Sequence, residues 1–463
     1  MKRKYASLIV GLLALMLVLP AAPYRHAAAA DMSDTDADRE LPELSPESTL
    51  SDYLLYAGLN NAEMEAAFHR WRAALERIPQ AESLPDPRFT YRHFLEEVET
   101  RVGPQRNAFE ISQMFPWFGK LELAGDVAAQ AALAAKERYE AVKLSVFFEV
   151  KEAYYEYYYL ARSIAVTQEN LQLLQHAENV ARARFGAAGG SHPDVIRAQV
   201  EIGKLEDQLA TLRDLIEPIV ARLNAAMNRP VEAPLPTPEP VEATEVTFDE
   251  DDLLKRLEYT NPQLQALGHD VERYRKVAEL AKKQYAPDIT IGLNYIDIGS
   301  SDRASRFSDN GQDAIGGMLS LNIPIWHKKY RSAVQEARLE RLAALRERTD
   351  ATNRLKAQLQ MALYRLRDAG RKLDLYADAL IPKATESLEV TEQAFRAGDA
   401  TFLDLIDAQR TYLEFELALA EALANHEKAL ARIVMLVGAE LNEIKAPEND
   451  AAEGPEIGEP NKQ

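Results

Sequence analysis

Four segments of this chain alternate apolar residues with small or polar ones. The segments are 89–95, 109–115, 289–295 and 319–323. Successive side chains of a strand point to opposite faces, so each segment predicts a strand with one apolar and one small or polar face. Two interpretations fit this pattern, a sheet over a water-soluble core or the wall of a membrane barrel. The small residues Gly292, Gly316 and Ser320 favour the barrel wall.

The strand pairs are followed by patterns typical of long helices. From Lys120 to about Phe185 there is no proline, and Ala, Leu, Glu, Lys and Arg predominate. At ~1.5 Å per residue this predicts a helix of roughly 100 Å. A second such helix starts at Lys328, with Pro382 as the expected kink. Helices of this length bury an apolar stripe only against equally long neighbours.

The chain aligns with itself, which indicates an internal two-fold repeat. The segment "ISQMFPWFGK" (111–120) matches "LSLNIPIWHK" (319–328), and "LPDPRFTY" (84–91) matches "APDITIGL" (286–293). Each half is predicted as helix, two strands, long helix, tip and helix. The predicted organisation is a signal peptide (1–30), a disordered acidic N-terminus (31–49), repeat one (50–228), a Pro-rich linker (229–250), repeat two (251–438) and a C-terminal tail (439–463).

Proline and aromatic residues mark both strand-to-helix junctions. Pro116 and Pro324 lack the N–H that a sheet ladder needs, yet proline fits the first turn of a helix. Trp117, Phe118 and Trp326 lie beside these prolines, as expected for aromatics at a bilayer–water boundary. Ordinary core aromatics beside a proline turn are the alternative, and the repetition of the motif favours the boundary.

The long helices end at glycine-containing turns, "RFGAAGGSHPDVIRAQ" and "FRAGDATFLDLIDAQR". Ser191 with Asp194, and Thr401 with Asp404, match the S/T-x-x-D/E capping pattern of a following helix. Asp407 lies one turn beyond Asp404, and capping does not account for it. Either Asp407 is one solvated charge among many, or it lines a feature that uses negative charge.

Composition narrows the class of protein. The 463 residues include no cysteine, which excludes disulfides and cysteine–metal sites. Lys2, Arg3 and Lys4, the apolar run 8–19 and "HAAAAD" predict an export signal. Removing its four cations, Arg25 included, changes the formal net charge from −19 to −23, which argues against nucleic-acid binding. The sequence shows no catalytic or metal-binding spacing and implies no cofactor, so we expect no enzyme.

The chain resembles the TolC-like outer-membrane efflux proteins. The resemblance rests on "LPDPRF", "ISQMFPWFGKLELA", "LIPKATESLEVTEQAFRAGDATFLDLIDAQR" and the duplicated architecture, and covers about 50–438. The segments "SQMFPWFGK" and "FLDLIDAQR" resemble the branch that serves heavy-metal efflux pumps of the resistance-nodulation-division type. The resemblance implies a mixed, mainly α fold: a homotrimer in which each protomer gives four strands to a 12-stranded outer-membrane β-barrel, continued by a periplasmic helical barrel.

The resemblance also implies partners and site residues. A periplasmic adaptor protein would dock the two helix tips, 184–194 and 396–404, and would link the channel to an inner-membrane transporter. The implied docking residues are Arg184, Phe185, Gly186, Asp194, Arg396, Gly398 and Asp404. Asp404 and Asp407 match the paired aspartates of the family's entrance gate, where three copies would form a cation-attracting ring. The barrel would contact outer-membrane lipid.

One other class explains part of the pattern. A soluble periplasmic coiled-coil scaffold or adaptor would account for the long helices and the tips. It would leave the four alternating segments and their Pro–aromatic junctions unexplained. The resemblance therefore implies a passive exit duct of a tripartite efflux pump or a type I secretion system, with heavy-metal cations as a candidate cargo.

Overall fold

The computed structural model describes residues 43–186, 191–306 and 308–439, which fold mainly as α-helix with one sheet. The elements in chain order are α1 (Leu50–Asn60), α2 (Ala62–Leu75), α3 (Arg77–Glu82), β1 (Arg88–Thr100), β2 (Gly103–Phe115), α4 (Lys120–Gly186), α5 (His192–Asp214), α6 (Ile216–Ala226), α7 (Glu250–Thr260), α8 (Pro262–Lys283), β3 (Ile289–Ile298), β4 (Ala314–Leu321), α9 (His327–Asp374), α10 (Ile381–Ala397) and α11 (Phe402–Val437). The predicted signal peptide, residues 31–42 of the predicted acidic N-terminus and residues 440–463 of the predicted tail lie outside the described residues.

The long helices occur where the sequence predicts them. Helix α4 has 67 residues without interruption, about 100 Å at the usual rise. In the second half, a π-helical segment, Leu375–Leu380, separates α9 from α10, whose first turn contains Pro382. A proline cannot donate the backbone hydrogen bond that a regular helix requires, which accounts for the irregular turn.

The helix after the first tip is broken, which the sequence analysis did not predict. Helix α5 ends at Asp214 and α6 begins at Ile216, whereas the corresponding α11 is continuous over 36 residues. Pro218 lies in the first turn of α6 and has no N–H for the carbonyl of Asp214. The break therefore follows from a proline that the second half lacks.

The four strands form one antiparallel sheet in the order β1-β2-β3-β4, so that each half contributes a hairpin and β2 pairs with β3. Both first-half strands continue beyond the predicted segments, to 13 residues each. Strand β4 ends at Leu321, so the predicted strand residue Ile323 lies outside it. Within the described chain, β1 and β4 each pair on one side only, and they form the two edges of the sheet.

The register sorts the side chains into two faces. Phe89, Ile111 and Leu293 lie opposite one another across three strands, and so do Tyr91, Phe109, Tyr295 and Ile315 across all four. The other face carries Ser112 opposite Gly292, and Glu110 opposite Asn294 and Gly316. In these rows one face of the sheet is apolar, and the other is small or polar, as the alternation predicts.

Three apolar clusters hold the helices together. The first joins α7, α8, α9 and α11 around Leu257, Leu359 and Ile433. The second joins α1, α2, α4 and α6 around Tyr53 and Val150. The third joins the ends of four helices at the tips and is described below. No helix in the described ranges is both long enough and apolar enough to cross a membrane.

The segment between α6 and α7 has neither helix nor strand and is attached to the helices by polar contacts. Glu427 of α11 is buried and accepts hydrogen bonds from Thr244 N at 2.8 Å and Thr244 Oγ1 at 3.0 Å. Burial alone would raise the pKa of Glu427, but the hydrogen bonds from His426 and Thr244 lower it below its usual value. A buried carboxylate therefore fixes the path of the linker.

Residues 43–49, expected to be disordered, are folded against α1. The backbone N–H of Thr49 donates to Asp52 Oδ2 at 2.7 Å, and its hydroxyl donates to the same oxygen at 3.0 Å. Leu44 packs against the cluster that contains Tyr53. The local cap and the packing of Leu44 give residues 43–49 defined contacts that the acidic composition did not indicate.

Candidate functional site

The two predicted tips lie side by side and share one apolar cluster. Its buried members come from the C-terminal ends of α4 and α10 and the N-terminal ends of α5 and α11. They are Leu174, Ala177, Ala181, Val195, Ala198, Phe395, Phe402, Leu405 and Ile406. The rings of Phe395 and Phe402 pack with centroids 5.6 Å apart. The tips thus form one four-helix unit.

Arg184 joins the first tip to the second. Its Nη1 donates to the carbonyl oxygen of Phe395 at 2.5 Å, and its guanidinium lies 5.0 Å from the centre of the Phe395 ring. Gly398 ends α10 in the left-handed region, at φ +96°, where a side chain would be strained. A Cβ at Gly398 would also lie 3.3 Å from Arg184 Nη2. The structure therefore brings these two predicted tip residues together.

The other predicted tip residues lie on the surface of this unit. Phe185 is exposed and its ring packs 5.2 Å from that of His192, while Gly186 is the last residue of α4. Arg396 is exposed and pairs with Glu392 within its own helix. These residues are exposed, whereas Arg184 is engaged in holding the tips together.

The two predicted helix caps differ. At the second tip, Asp404 N donates to Thr401 Oγ1 at 3.2 Å, and Asp404 Oδ2 accepts from Thr401 N at 2.9 Å. Hydrogen bonds from the Thr401 side chain and backbone hold the pKa of Asp404 below its usual range. At the first tip the capping prediction is wrong: Ser191 occupies the N-cap position without a side-chain cap, and Asp194 lies 3.5 Å from Arg197.

Asp407 has no role in the cap. Its side chain is 63% exposed, and its partner is Arg410, at 3.6 Å. Arg410 also binds Glu201 of α5 at 2.5 Å, and this bond lowers the pKa of Glu201. The Arg410–Glu201 bond was not predicted, because nothing in either sequence segment indicates a pairing across 209 positions. Asp407 therefore keeps an exposed carboxylate beside a bonded arginine.

The strand-to-helix junctions keep their aromatics at the surface. Phe118 is 79% exposed and Trp326 is 71% exposed, while Trp117 is half-buried. Pro116 and Pro324 each follow a strand, as expected. Neither lies in the first turn of a helix, which corrects the prediction: α4 begins at Lys120 and α9 at His327. A short connection intervenes at each junction, and at the first one Trp117 N and Lys120 bind Asp288 of the other half.

That binding centres on Lys120, the last residue of the first junction motif. Lys120 is 5% exposed, and its Nζ donates to Asp288 Oδ1 at 2.7 Å and to the carbonyl of Ala286 at 3.0 Å. Asp288 Oδ1 also accepts from Trp117 N at 2.8 Å, and its Oδ2 accepts from Asn322 Nδ2 at 3.2 Å. Burial opposes ionisation of Asp288, but these bonds outweigh it and lower its pKa.

A match to a protein-family model identifies the family of this chain. The model of the outer membrane efflux protein family matches residues 56–229 and 253–439, one match in each half. The chain belongs to the outer membrane efflux protein family. This confirms the resemblance seen in the sequence. Among the described residues, no group of histidine and acidic side chains is arranged to hold a metal ion.

Two curated relatives of this efflux protein are similar over most of their length. Nodulation protein T of Rhizobium leguminosarum bv. trifolii is 20% identical over 85% of this chain and 86% of its own. The cobalt-zinc-cadmium resistance protein CzcC of Cupriavidus metallidurans is 23% identical over 84% of this chain and 90% of its own. The solved structure of CusC, described by its transmembrane channel formation, superposes with a TM-score of 0.69 at 14% identity, over 87% of this chain and 99% of CusC.

Proposed function

We propose that this protein is the outer-membrane exit duct of a tripartite efflux pump and works as a homotrimer. Each copy would give four strands to a 12-stranded β-barrel in outer-membrane lipid, and its helices to a periplasmic helical barrel. A periplasmic adaptor would connect it to an inner-membrane transporter that supplies the driving force. The duct itself would be passive and would need no cofactor.

The two-faced sheet is the observation that carries this proposal. Its apolar face is exposed at Phe89, Ile315 and Leu319. Its edges, β1 and β4, have backbone groups with no partner strand in the described chain. Backbone groups without partners are costly in lipid, so four strands can enter a bilayer only if other strands complete a closed barrel. Further copies of the same chain supply such strands, and three copies would give the proposed twelve.

The tips fit the adaptor-docking end of this duct. Phe185, Gly186, Asp194, Arg396, Gly398 and Asp404 lie at the exposed end of the four-helix unit, and Arg184 stiffens it from within. Gating would use Asp404 and Asp407, which three copies would bring into a ring of carboxylates. Such a ring concentrates cations.

The proposed cargo is heavy-metal cations. Two observations support it: the junction and tip motifs resemble the heavy-metal branch of the family, and the relative CzcC is named for cobalt, zinc and cadmium resistance. Nodulation protein T aligns with this chain over a similar length, and its name refers to no metal. In this proposal selectivity among metals lies with the transporter, and the duct contributes an entrance that favours cations.

The proposal is tested on protein extracted from outer-membrane vesicles. Native mass spectrometry should give three times the mass of one processed chain, and planar bilayers should show cation-preferring conductance. A protein recovered from the soluble periplasmic extract as a monomer would overturn the proposal and favour the scaffold alternative.

A further inference from the structure

The buried pair Lys120–Asp288 joins the two halves of one chain, and both of its residues have a counterpart in the opposite half. Lys120 corresponds to Lys328 in the junction motif, an offset of 208. Asp288 corresponds to Asp86, because "APDITIGL" aligns with "LPDPRFTY" at an offset of 202. The lysine of half one thus binds the aspartate of half two. The equivalent contact of Lys328 would need the aspartate of a further repeat, and the chain has only two.

The counterpart residues are exposed and separate. Lys328 and Asp86 both lie on the surface, and neither takes part in an ion pair within the described residues. In the pair Lys120–Asp288, by contrast, the same residue types are in contact, and the side chain of Lys120 is almost fully buried. A lysine and an aspartate at repeated positions are therefore left at opposite edges of the sheet, beside β4 and β1.

The strand registers show that the two offsets hold in three dimensions. Arg88 pairs with Ser112 in the first hairpin. Adding 202 to the first number and 208 to the second gives Thr290 and Ser320, which pair in the second hairpin. The same shifts can be applied to the contact between the halves, where Ser112 pairs with Gly292. Adding 208 to Ser112 and subtracting 202 from Gly292 places Ser320 of β4 opposite Thr90 of β1. Within one chain these two strands do not pair with each other.

We propose that copies of this chain join by repeating the contact between the halves: Lys328 binds Asp86 of a second copy, and β4 pairs antiparallel with β1 of that copy, with Ser320 opposite Thr90. The proposal rests on the proposed homotrimer and specifies its interface. The register places Leu319 opposite Tyr91, so the apolar face continues from copy to copy without a change of side.

The proposed contact between copies differs from the contact between the two halves in one residue. Asn322, which also binds Asp288, has Met114 as its counterpart at the offset of 208. Asp86 would therefore lack that amide contact and would depend more on the lysine. Charge reversal at Lys328 or Asp86 should then act on assembly rather than on the folding of one copy, because neither residue has an ion-pair partner in the described part of its own chain.

The first experiment is a charge swap, read as the trimer-to-monomer ratio in detergent by native mass spectrometry. Lys328→Asp and Asp86→Lys should each lower the ratio by about tenfold or more, since each places two like charges together at every contact. The double variant should recover most of the loss. Lys329→Asp, the same change one residue along α9, is the control and should leave the ratio unchanged.

The second experiment tests the register by disulfide formation, in a chain whose natural sequence has no cysteine. Residues directly opposite in an antiparallel pair have Cα atoms about 4.5–5.5 Å apart, within the range that a disulfide spans. Thr90→Cys combined with Ser320→Cys should give covalent dimers and trimers on oxidation. The control combines Arg92→Cys with Ser320→Cys, a pair displaced by two residues from the proposed register. It should form far less covalent product.

The outcomes separate this inference from the proposed function. A trimeric wild type whose charge swap brings no recovery, or whose slipped cysteine pair forms more disulfide, would overturn the interface and leave the duct standing. A wild type that is monomeric in membranes would overturn both. Recovery by the swap together with preferential disulfide formation at Thr90 and Ser320 would support both.

Discussion

Thr401 and Ser191 stand at corresponding places in the two tips, yet only Thr401 caps its helix through its side chain. The first four backbone N–H groups of a helix have no partner within it, and a side-chain oxygen can satisfy one of them. The hydrogen bonds between Thr401 and Asp404 do this for α11. The start of α11 should therefore depend on one side chain, and the start of α5 should not.

Thr401→Ala should loosen the first turn of α11. Loss of a threonine cap costs about 1 kcal/mol, which corresponds to roughly fivefold faster amide exchange wherever local opening controls it. Hydrogen exchange followed by mass spectrometry over residues 402–406 measures the effect. Ser191→Ala is the matched control and should leave exchange over 192–196 unchanged. Equal acceleration at both tips would contradict the difference between the caps.

Asp407 offers the cleaner test of the proposed gate, because Asp404 is also needed for the cap. Asp407→Asn removes one exposed carboxylate per copy and keeps the size of the side chain. We expect half-maximal block of the channel by Co²⁺ to need about tenfold more metal, since a ring of like charges raises the local cation concentration by such factors. Single-channel recording in planar bilayers measures this.

The control for the gate is Asp194→Asn, the same chemical change in the first tip, where the carboxylate lies near Arg197. It should leave the block by Co²⁺ within about twofold of the wild type, because Asp194 is not part of the proposed ring. An unchanged block in Asp407→Asn would return Asp407 to the class of solvated surface charges.

At the scale of elements, the junction between β2 and α4 is held by the other half of the chain. Lys120 and Asp288 are enclosed, and the bonds of Asp288 reach Trp117 on one side and Asn322 on the other. The pKa of Asp288 is lowered in the folded state. Its stabilising effect is therefore complete above the unfolded pKa of about 4 and is lost as the pH falls through the lower folded value.

Asp288→Asn should lower the melting temperature of the detergent-solubilised protein at pH 7, because removing one partner of a buried pair costs about 3 kcal/mol or more. The difference from the wild type should shrink as the pH falls below about 4, because the carboxylate becomes neutral there in the unfolded chain and, at its lower pKa, in the folded chain. Thermal unfolding followed by circular dichroism between pH 3 and pH 7 measures both effects.

The matched control is Asp350→Asn on α9, where the partner Arg354 is 3.0 Å away and both side chains are two-thirds exposed. An exposed pair contributes at most about 1 kcal/mol, so this change should shift the melting temperature little at any pH. A difference between Asp288→Asn and the wild type that stays constant from pH 3 to pH 7 would contradict the assigned role of the charge.

The elements that could be predicted are those whose signal lies in the local sequence pattern. Alternation located the four strands, and the absence of proline located α4. The contacts between elements had no such signal: Arg410 with Glu201, and Lys120 with Asp288, join residues far apart in the chain. Likewise the missing side-chain cap at Ser191 was unpredictable, because the capping motif states which bonds are possible and the surrounding fold decides whether they form.

At the scale of the whole molecule, the sheet is the part that the water-soluble alternative leaves unexplained. Its strands pair so that aromatic and aliphatic residues meet on one face. In a water-soluble sheet such a face packs on a core, but Phe89, Leu319 and Ile315 are exposed. In a bilayer this face would contact lipid and the opposite face would contact the water of the lumen.

Phe109 and Glu110 are neighbours in the middle of β2 and lie on opposite faces. Phe109→Lys would place a charge on the proposed lipid face, at a cost of about 2–4 kcal/mol near the bilayer midplane. Glu110→Lys would replace one charge by another on the proposed lumen face and should be tolerated. Heat-resistant trimer in outer-membrane fractions should fall severalfold for Phe109→Lys and stay near the wild-type level for Glu110→Lys. The reverse order would mean that the polar face contacts lipid, and equal losses would mean that neither face does.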